Sequence, residues 1–217
     1  ARWQHPEKGF LLPGSFIPLM ERENMIDRMD FYILEKACAF LEDLRKQGVY
    51  DFPISCNFSR KSFAAPDFVD RCAQVINRYT FIRDRLIFEL TESTQARDME
   101  QIRQNVRRVK QLGVQVVLDD FGVGFTSFYD LQEYPVDGVK LDKELVDHIN
   151  TSKGRTIVGA MVKIGHELGL TTLAEGVEND EQLKILQELN CDAIQGFRFY
   201  HPIPSWEAEK KILERMH

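Results

Sequence analysis

Two adjacent carboxylates, Asp119 and Asp120, end the apolar stretch VVLDDF, and a Gly-x-Gly loop follows at once. Burying two neighbouring negative charges is costly unless a cation lies between them. Carboxylate and amide oxygens are the ligands that hard divalent ions such as Mg²⁺ and Mn²⁺ prefer. Two such ions about 3.5–4 Å apart are a common device for phosphoester hydrolysis. The Asp pair therefore predicts a divalent-metal site, and phosphoester hydrolysis is a reaction that such a site supports.

Polar side chains also follow the other apolar segments of the sequence. These positions are Asn57, Glu89, Asp119 with Asp120, Lys140, Glu175 and Gln195, with Glu178 close behind. Each has an ordinary explanation when taken alone: Asp120 as a turn or cap, Glu89 as a solvated acid, Lys140 as a surface ion pair. Five carboxylates gathered around one lysine would repel one another, so together they favour bound divalent cations.

The elements that position these residues alternate between strand and helix, after a long helix predicted at 27–47. Such alternation is typical of βαβ units and a parallel sheet. Strands are predicted at 52–59, 85–92, 114–121, 137–142, 171–178 and 192–197. Helices are predicted at 66–79, 98–112, 127–133, 154–168, 180–189 and 205–216.

Two α/β architectures fit this pattern. A doubly wound sheet would have a glycine-rich phosphate loop after its first strand, and CNFSRKS is not such a loop. A (β/α)₈ TIM-type barrel places its chemistry at the carboxyl ends of its strands, which is where the polar residues lie. Because outer helices cover the apolar row of each strand, Lys140, Glu89 and Glu175 should point to the barrel axis. We expect this barrel with six of its strands present, so that the sequence begins inside the fold.

The composition narrows the class of protein. Hydrophobic residues make up 43% and charged residues 29% of the 217 residues, as in ordinary globular domains. The net charge of −6 argues against a nucleic-acid polymer as the partner. The four cysteines have no metal-type or disulfide-type spacing. We expect one domain over 1–217, located in the cytoplasm and without membrane contact of its own, in a full-length protein that could be membrane-anchored.

Six motifs in this sequence resemble those of the EAL domain family, the bacterial phosphodiesterases of cyclic di-GMP. In order, they are CNFS, ELTES, LDDFGVGFTS, VKLD, LAEGVE and IQGF, and they cover essentially the whole chain. The opening ARW resembles the end of the family's EAL-x-R-W motif, so the Glu-Ala-Leu itself would precede Ala1. The sequence departs from the family at Val123, Phe125 and Thr126, where Thr, Tyr and Ser are usual. Val123 lacks a hydroxyl that could form a hydrogen bond within the loop.

The resemblance implies a metal site and a catalytic pair. Asn57, Glu89 and Asp119 would bind the first Mg²⁺ or Mn²⁺ ion. Asp119 would bridge to a second ion, held mainly by Asp120. Glu175 would orient or deprotonate the attacking water, and Lys140 would position that water and balance the charge of the phosphate.

The resemblance implies further roles around this centre. Glu178 and Gln195 would support the shell of metal and water, and Arg2 would contact a substrate phosphate. Glu92 would anchor the loop after the Asp pair. The implied reaction converts cyclic di-GMP to linear pGpG, with Ca²⁺ inhibitory. The implied partners are a second copy of the chain, through the segment 125–134, and fused GGDEF or sensor domains.

Two other functions are compatible with the fold. One is a non-catalytic EAL domain that acts as a cyclic di-GMP receptor or a protein-interaction module. The intact set of acids and Lys140 favours the enzyme over this alternative. The other is an enolase-like, proton-abstracting barrel, which would also have acids and a lysine at its strand ends. The adjacent Asp pair and the six ordered motifs disfavour it.

Overall fold

The computed structural model describes residues 2–90, 99–122, 131 and 133–215. Within these residues there is a two-stranded antiparallel hairpin and a six-stranded parallel sheet. The hairpin consists of β1 (Trp3–His5) and β2 (Gly9–Leu11). The sheet consists of β3 (Ile54–Phe58), β4 (Leu86–Leu90), β5 (Gln115–Phe121), β6 (Gly138–Leu141), β7 (Thr171–Ala174) and β8 (Ala193–Ile194).

The six strands lie in the sheet in the same order as in the sequence, each parallel to the next. A doubly wound sheet reverses its strand order at a switch point, whereas a (β/α)₈ barrel does not. The arrangement is therefore an α/β fold of the barrel type, with six strands in the described part of the chain. All six strands predicted from the sequence are confirmed, although β7 and β8 end four and three residues earlier than predicted.

Helices connect the strands and cover the outside of the sheet. They are α1 (Pro13–Arg22), α2 (Ile26–Lys46), α3 (Arg60–Phe63), α4 (Phe68–Ile76), α5 (Met99–Gln111), α6 (Lys143–Asp147), α7 (Ser152–Glu167), α8 (Asp180–Glu188) and α9 (Ser205–Glu214). The helix predicted at 127–133 lies largely outside the described residues. Among the helices that the structure describes, none combines the length and the apolar composition needed to cross a bilayer.

The hairpin and α1 at the start of the chain were not predicted. The backbone amides of Glu7 and Lys8 donate to Nδ1 of His5, each at 3.1 Å, and Gly9 takes a positive φ of 69°. Trp3 packs edge-on against Phe16 of α1, with ring centroids 5.7 Å apart. Strands of three residues are too short to show an alternating pattern, so the local turn chemistry is the only signal for this hairpin.

The hydrophobic core lies between the sheet and its outer helices. Phe58 of β3 and Phe88 of β4 are almost completely buried, with ring centroids 4.5 Å apart. On β6, Val139 and Leu141 are buried in the same cluster. Burying such side chains contributes about 1.5–3 kcal/mol each. The residues between them, with the opposite parity, therefore form the inner face of the sheet, where the polar side chains lie.

Candidate active site

Lys140 of β6 lies at the centre of a buried group of charges. Only 4% of the residue is exposed. Its Nζ is 2.9 Å from Oε2 of Glu89 on β4 and 2.9 Å from Oδ1 of Asp119 on β5. It also contacts Oε1 of Glu175, the residue directly after β7. The structure thus brings together one lysine and three carboxylates from four neighbouring strands, as the alternation along the strands predicted.

The electrostatics of this group follow from burial and charge. Burial lowers the pKa of Lys140, but Glu89, Asp119 and Glu175 raise it by more, so the net pKa of Lys140 lies above its ordinary value. Burial raises the pKa of Glu175; the charges of Asp119 and Glu89 add to this rise, and Lys140 opposes it. Lys140 therefore stays charged at neutral pH, and the Glu175 carboxylate is more basic than an ordinary one. A carboxylate of this kind is suited to accept a proton.

A bulge in the pairing of β5 and β6 places the two adjacent acids. Leu118 pairs with Val139 and Phe121 pairs with Leu141, so Asp119 and Asp120 together face only Lys140. Two residues opposite one define a β-bulge, a feature that is frequent next to active sites. Asp119 is buried, whereas Asp120 is exposed and takes a left-handed φ of 55°. The bulge therefore places two consecutive acids just before the end of the strand and still returns Phe121 to the core.

A second lysine, Lys143 at the start of α6, contacts the loop after β7. Nζ of Lys143 lies 3.0 Å from Oε1 of Glu178 and 2.7 Å from Oδ1 of Asp147. Its aliphatic stem covers Gly176, which has a φ of 70°; a Cβ there would come within 2.4 Å of Cγ of Lys143. Sequence reasoning missed Lys143. The signal was its spacing, since Lys140 and Lys143 are three residues apart, as are Glu175 and Glu178.

Of the other predicted site residues, Asn57 and Gln195 lie at the carboxyl ends of strands of the sheet, Arg2 lies next to the hairpin, and Glu92 is outside the described residues. Asn57, on β3, is exposed and pairs in register with Glu89. Gln195 directly follows β8, and its backbone amide donates to the carbonyl of Ala174 at 2.8 Å. Arg2 is exposed and directly precedes β1. Glu92 lies outside the described residues, so its predicted role as a loop anchor stays a prediction.

The residue types at this edge fit a hard divalent cation. In the described ranges, no three Asp, Glu, His or Cys side chains are arranged closely enough to hold a metal ion as they stand. Three of the acids contact the ammonium of Lys140 instead. The donor set is nevertheless all oxygen: the carboxylates of Glu89, Asp119 and Asp120, and the amide of Asn57. This set suits Mg²⁺ or Mn²⁺ and does not suit zinc, which prefers nitrogen and sulfur ligands.

A cavity of about 490 Å³ lies away from these charges. It is bounded by the segment that precedes β3 and by α9, with Val49, Phe52 and Ile212 among its lining residues. At its edge, Arg215 donates to the hydroxyl of Tyr200 at 2.7 Å. The lining is mainly apolar and includes no member of the Lys140 group, so we assign the chemistry to the strand ends.

Comparison with known proteins identifies one family. The sequence matches the family model described as "EAL domain" over residues 1–202. The chain is 33% identical over 205 residues to the bifunctional diguanylate cyclase/cyclic di-GMP phosphodiesterase MucR of Pseudomonas aeruginosa, covering 94% of the chain and 30% of that protein. It is 32% identical over 208 residues to the oxygen sensor protein DosP of Escherichia coli, covering 95% of the chain and 26% of that protein. The chain thus spans about a quarter to a third of the length of these relatives.

Solved structures give the same fold. A structure described as the PaMucR phosphodiesterase in complex with c-di-GMP superposes with a TM-score of 0.88 at 33% identity, covering 95% of this chain and 84% of that one. An EAL domain protein from Listeria monocytogenes EGD-e superposes with a TM-score of 0.85 at 28% identity, covering 97% and 82%. These structures are EAL-domain TIM barrels, which agrees with the strand order described above.

Proposed function

The chain belongs to the EAL domain family, and we propose that it hydrolyses cyclic di-GMP to linear pGpG in a metal-dependent reaction. The observation that supports this most directly is the buried group of Lys140 with Glu89, Asp119 and Glu175. This group places carboxylates, which could hold metal ions or accept a proton, beside a cation that could balance the charge of a phosphate. The names of the MucR relative and of its solved complex support cyclic di-GMP as the substrate.

The metal ligands we propose are the oxygen donors at the ends of three neighbouring strands. Asn57, Glu89 and Asp119 would hold one Mg²⁺ or Mn²⁺ ion, and Asp120, together with Asp119, would hold a second. Bound there, the ions would supply Lewis-acid stabilisation of the phosphate and lower the pKa of a water. Ca²⁺ is expected to inhibit, because its longer bonds and looser geometry fit such a site poorly.

Glu175 and Lys140 would handle the proton and the charge. The contact between Lys140 and Oε1 of Glu175 fixes the rotation of that carboxylate. We assign Oε2 of Glu175 to accept the proton of the attacking water, a task that its raised pKa favours. The permanent charge of Lys140 would balance the negative charge that grows on the phosphate.

The remaining predicted site residues would bind the substrate or support the metal ions and the loop beside them. The guanidinium of Arg2 would contact a substrate phosphate, since its fork of donors matches phosphate oxygens. Glu178 and Gln195 would hold water or metal ligands in place from the loops after β7 and β8. Glu92 would anchor the loop that follows the Asp pair, as the family resemblance implies.

The test is an assay for pGpG with the purified protein. Incubation with cyclic di-GMP and Mg²⁺ or Mn²⁺, followed by chromatography, is expected to yield pGpG only when the metal is present. Glu175→Gln should lower the rate about 10²–10⁴-fold, the usual contribution of a general base. The matched control is Glu167→Gln, the same chemical change at an exposed position of α7, which should leave the rate unchanged.

A negative assay would be informative when combined with binding. Calorimetry with cyclic di-GMP would then distinguish a cyclic di-GMP receptor from a protein-interaction module. Tight binding without product would replace the hydrolase with the receptor function. Neither binding nor product would leave a protein-interaction role for the fold.

We also propose that the chain acts as one cytoplasmic module of a larger signalling protein and forms homodimers. The length of the relatives supports the first part, since the chain covers only 30% of MucR and 26% of DosP. GGDEF or sensor domains are the expected neighbours. The predicted dimer segment, 125–134, lies mostly outside the described residues. Sedimentation over a range of concentrations tests the dimer, and a monomer at every concentration would contradict it.

A further inference from the structure

The turn that follows Asn57 is held at its start by a buried carboxylate from α2. Asp30 is only 3% exposed. Its Oδ2 accepts hydrogen bonds from the backbone amide of Ser59 at 3.0 Å, from Oγ of Ser59 at 2.9 Å and from Oγ of Ser62 at 2.7 Å. Three donors thus converge on one oxygen, two and five residues after Asn57.

A second buried polar side chain holds the other end of the same turn. Asn105 of α5 has no exposed surface. Its Nδ2 donates to the carbonyls of Phe63 at 2.7 Å and Ala65 at 2.9 Å, at the end of α3. Gln101, one turn earlier on α5, donates to its Oδ1 at 3.2 Å. The short helix α3 is therefore tied to both of the long helices beside it.

The local structure does not itself require Asp30. Ser59 is already the N-cap of α3, and its Oγ accepts from the amide of Ser62 at 3.2 Å. A helix of four residues is thus capped by its own sequence. Burying an additional carboxylate is costly, and burial raises the pKa of Asp30 against the opposing hydrogen bonds. A role beyond capping would account for a buried charge at this position.

Asn57 is the exposed residue whose position would be fixed by this turn, held by Asp30 and Asn105. The next residue, Phe58, is 1% exposed and packs against Phe63, Phe68 and Phe88, with ring centroids 6.0, 5.1 and 4.5 Å away. Ser59 follows and is held by Asp30. The chain directly after Asn57 therefore has little freedom, which fixes the position from which the Asn57 amide extends.

We propose that Asp30 is a positioning residue for Asn57, with Asn105 holding the far end of the same turn. The inference rests on the proposed function in taking Asn57 as a metal ligand. Asp30 touches neither substrate nor metal; it acts through the backbone of Ser59. Partners that orient metal ligands typically contribute about 10–100-fold to metal affinity, and we expect about 10-fold for Asp30.

The test measures Mn²⁺ binding by calorimetry, without substrate, in variants of the whole chain. Asp30→Ala should weaken Mn²⁺ binding about 10-fold, and Asp30→Asn, which keeps one acceptor oxygen, should weaken it less. Leu34→Ala is the matched control. It is fully buried one turn later on α2 and lies outside the turn after Asn57, so it should lower the unfolding temperature and leave Mn²⁺ affinity unchanged.

Each outcome decides the inference. Equal Mn²⁺ affinity in Asp30→Ala and Leu34→Ala would make Asp30 a purely structural residue. If Asp30→Ala does not fold, Asp30→Asn and Ser62→Ala replace it: weaker Mn²⁺ binding supports the inference, and wild-type affinity overturns it. Unchanged Mn²⁺ affinity in Asn57→Ala would also overturn it, whatever the pGpG assay gives. The predicted Mn²⁺ pattern without pGpG would refute only the proposed hydrolysis.

Discussion

Two lysines three residues apart meet two glutamates three residues apart, in very different surroundings. Lys140 contacts Glu175, and Lys143 contacts Glu178. The side chain of Lys140 is 5% exposed, whereas that of Lys143 is 45% exposed. Each lysine also contacts other acids: Lys140 has Glu89 and Asp119, and Lys143 has Asp147. The same chemical pair thus occurs once in the interior and once in solvent.

The difference shows that burial, rather than the mere presence of ion pairs, is what makes the Lys140 group important for stability. Water and salt screen an exposed ion pair, which typically contributes about 0.2–1 kcal/mol. In the interior, a charge that loses its partner has no water to replace it. The buried carboxylates of Glu89 and Asp119 therefore need Lys140 or a bound cation to balance their charge. The exposed carboxylate of Glu178 does not need Lys143 in this way, because water can replace it.

Lys140→Met should have the largest effect on stability. It leaves buried acids without their ammonium and is expected to lower the free energy of unfolding by about 3–5 kcal/mol at pH 7. Urea denaturation measures this. The loss should shrink in Mn²⁺, which can replace the missing positive charge, and Lys143→Met is the matched control. An unfolding free energy equal to that of the wild type would show that the carboxylates need no cation.

Asp120 sharpens the comparison, because it is the exposed member of the Asp pair. Its left-handed φ of 55° favours Gly over any residue with a Cβ. Asp120→Gly should therefore be more stable than Asp120→Ala by about 1 kcal/mol. Both variants should lose activity alike, because both remove the proposed ligand of the second metal. Thermal unfolding and the pGpG assay check this, and an active Asp120→Gly would exclude the carboxylate from the reaction.

For Glu42, on α2, hydrogen-bond partners lower the pKa by more than burial raises it. This is the reverse of Glu175, where burial raises the pKa by more than Lys140 lowers it. A hydrogen bond from Arg45 at 2.8 Å is the main cause that lowers the pKa of Glu42 from 4.5 to about 2, with Thr80 contributing through its backbone amide. A lowered pKa stabilises the fold above pH 4.5, and this stabilisation is lost as the pH falls towards about 2. Glu42→Gln should thus cost about 1 kcal/mol at pH 7.

The pH dependence distinguishes this charge effect from a packing effect. Urea denaturation of the wild type and of Glu42→Gln should give a difference that shrinks steadily as the pH falls below about 4.5. A difference that is constant from pH 7 to pH 3 would mean that the amide disturbs packing, and that the charge of Glu42 contributes nothing.

The comparison also indicates which features a sequence reveals. The strands and the convergence on Lys140 were predictable, because alternation along a strand decides which side chains share a face. The bulge at Asp119 and Asp120 was not, since it depends on the register with β6, a different segment. Asp30 and Asn105 were also missed. They act on residues 29 and 42 positions away in the chain, and on their own helices they resemble ordinary surface residues.

Lys143→Met should have the smallest effect, and it tests the exposed half of the comparison. Methionine keeps an aliphatic stem over Gly176 and removes only the charge. A double-mutant cycle with Glu178→Gln should give a coupling of about 0.2–1 kcal/mol at low salt. In 1 M salt the screening length is about 3 Å, so the coupling should nearly vanish. A coupling above 2 kcal/mol that resists salt would place Glu178 in the same class as Glu175, and the site would then have two essential lysines.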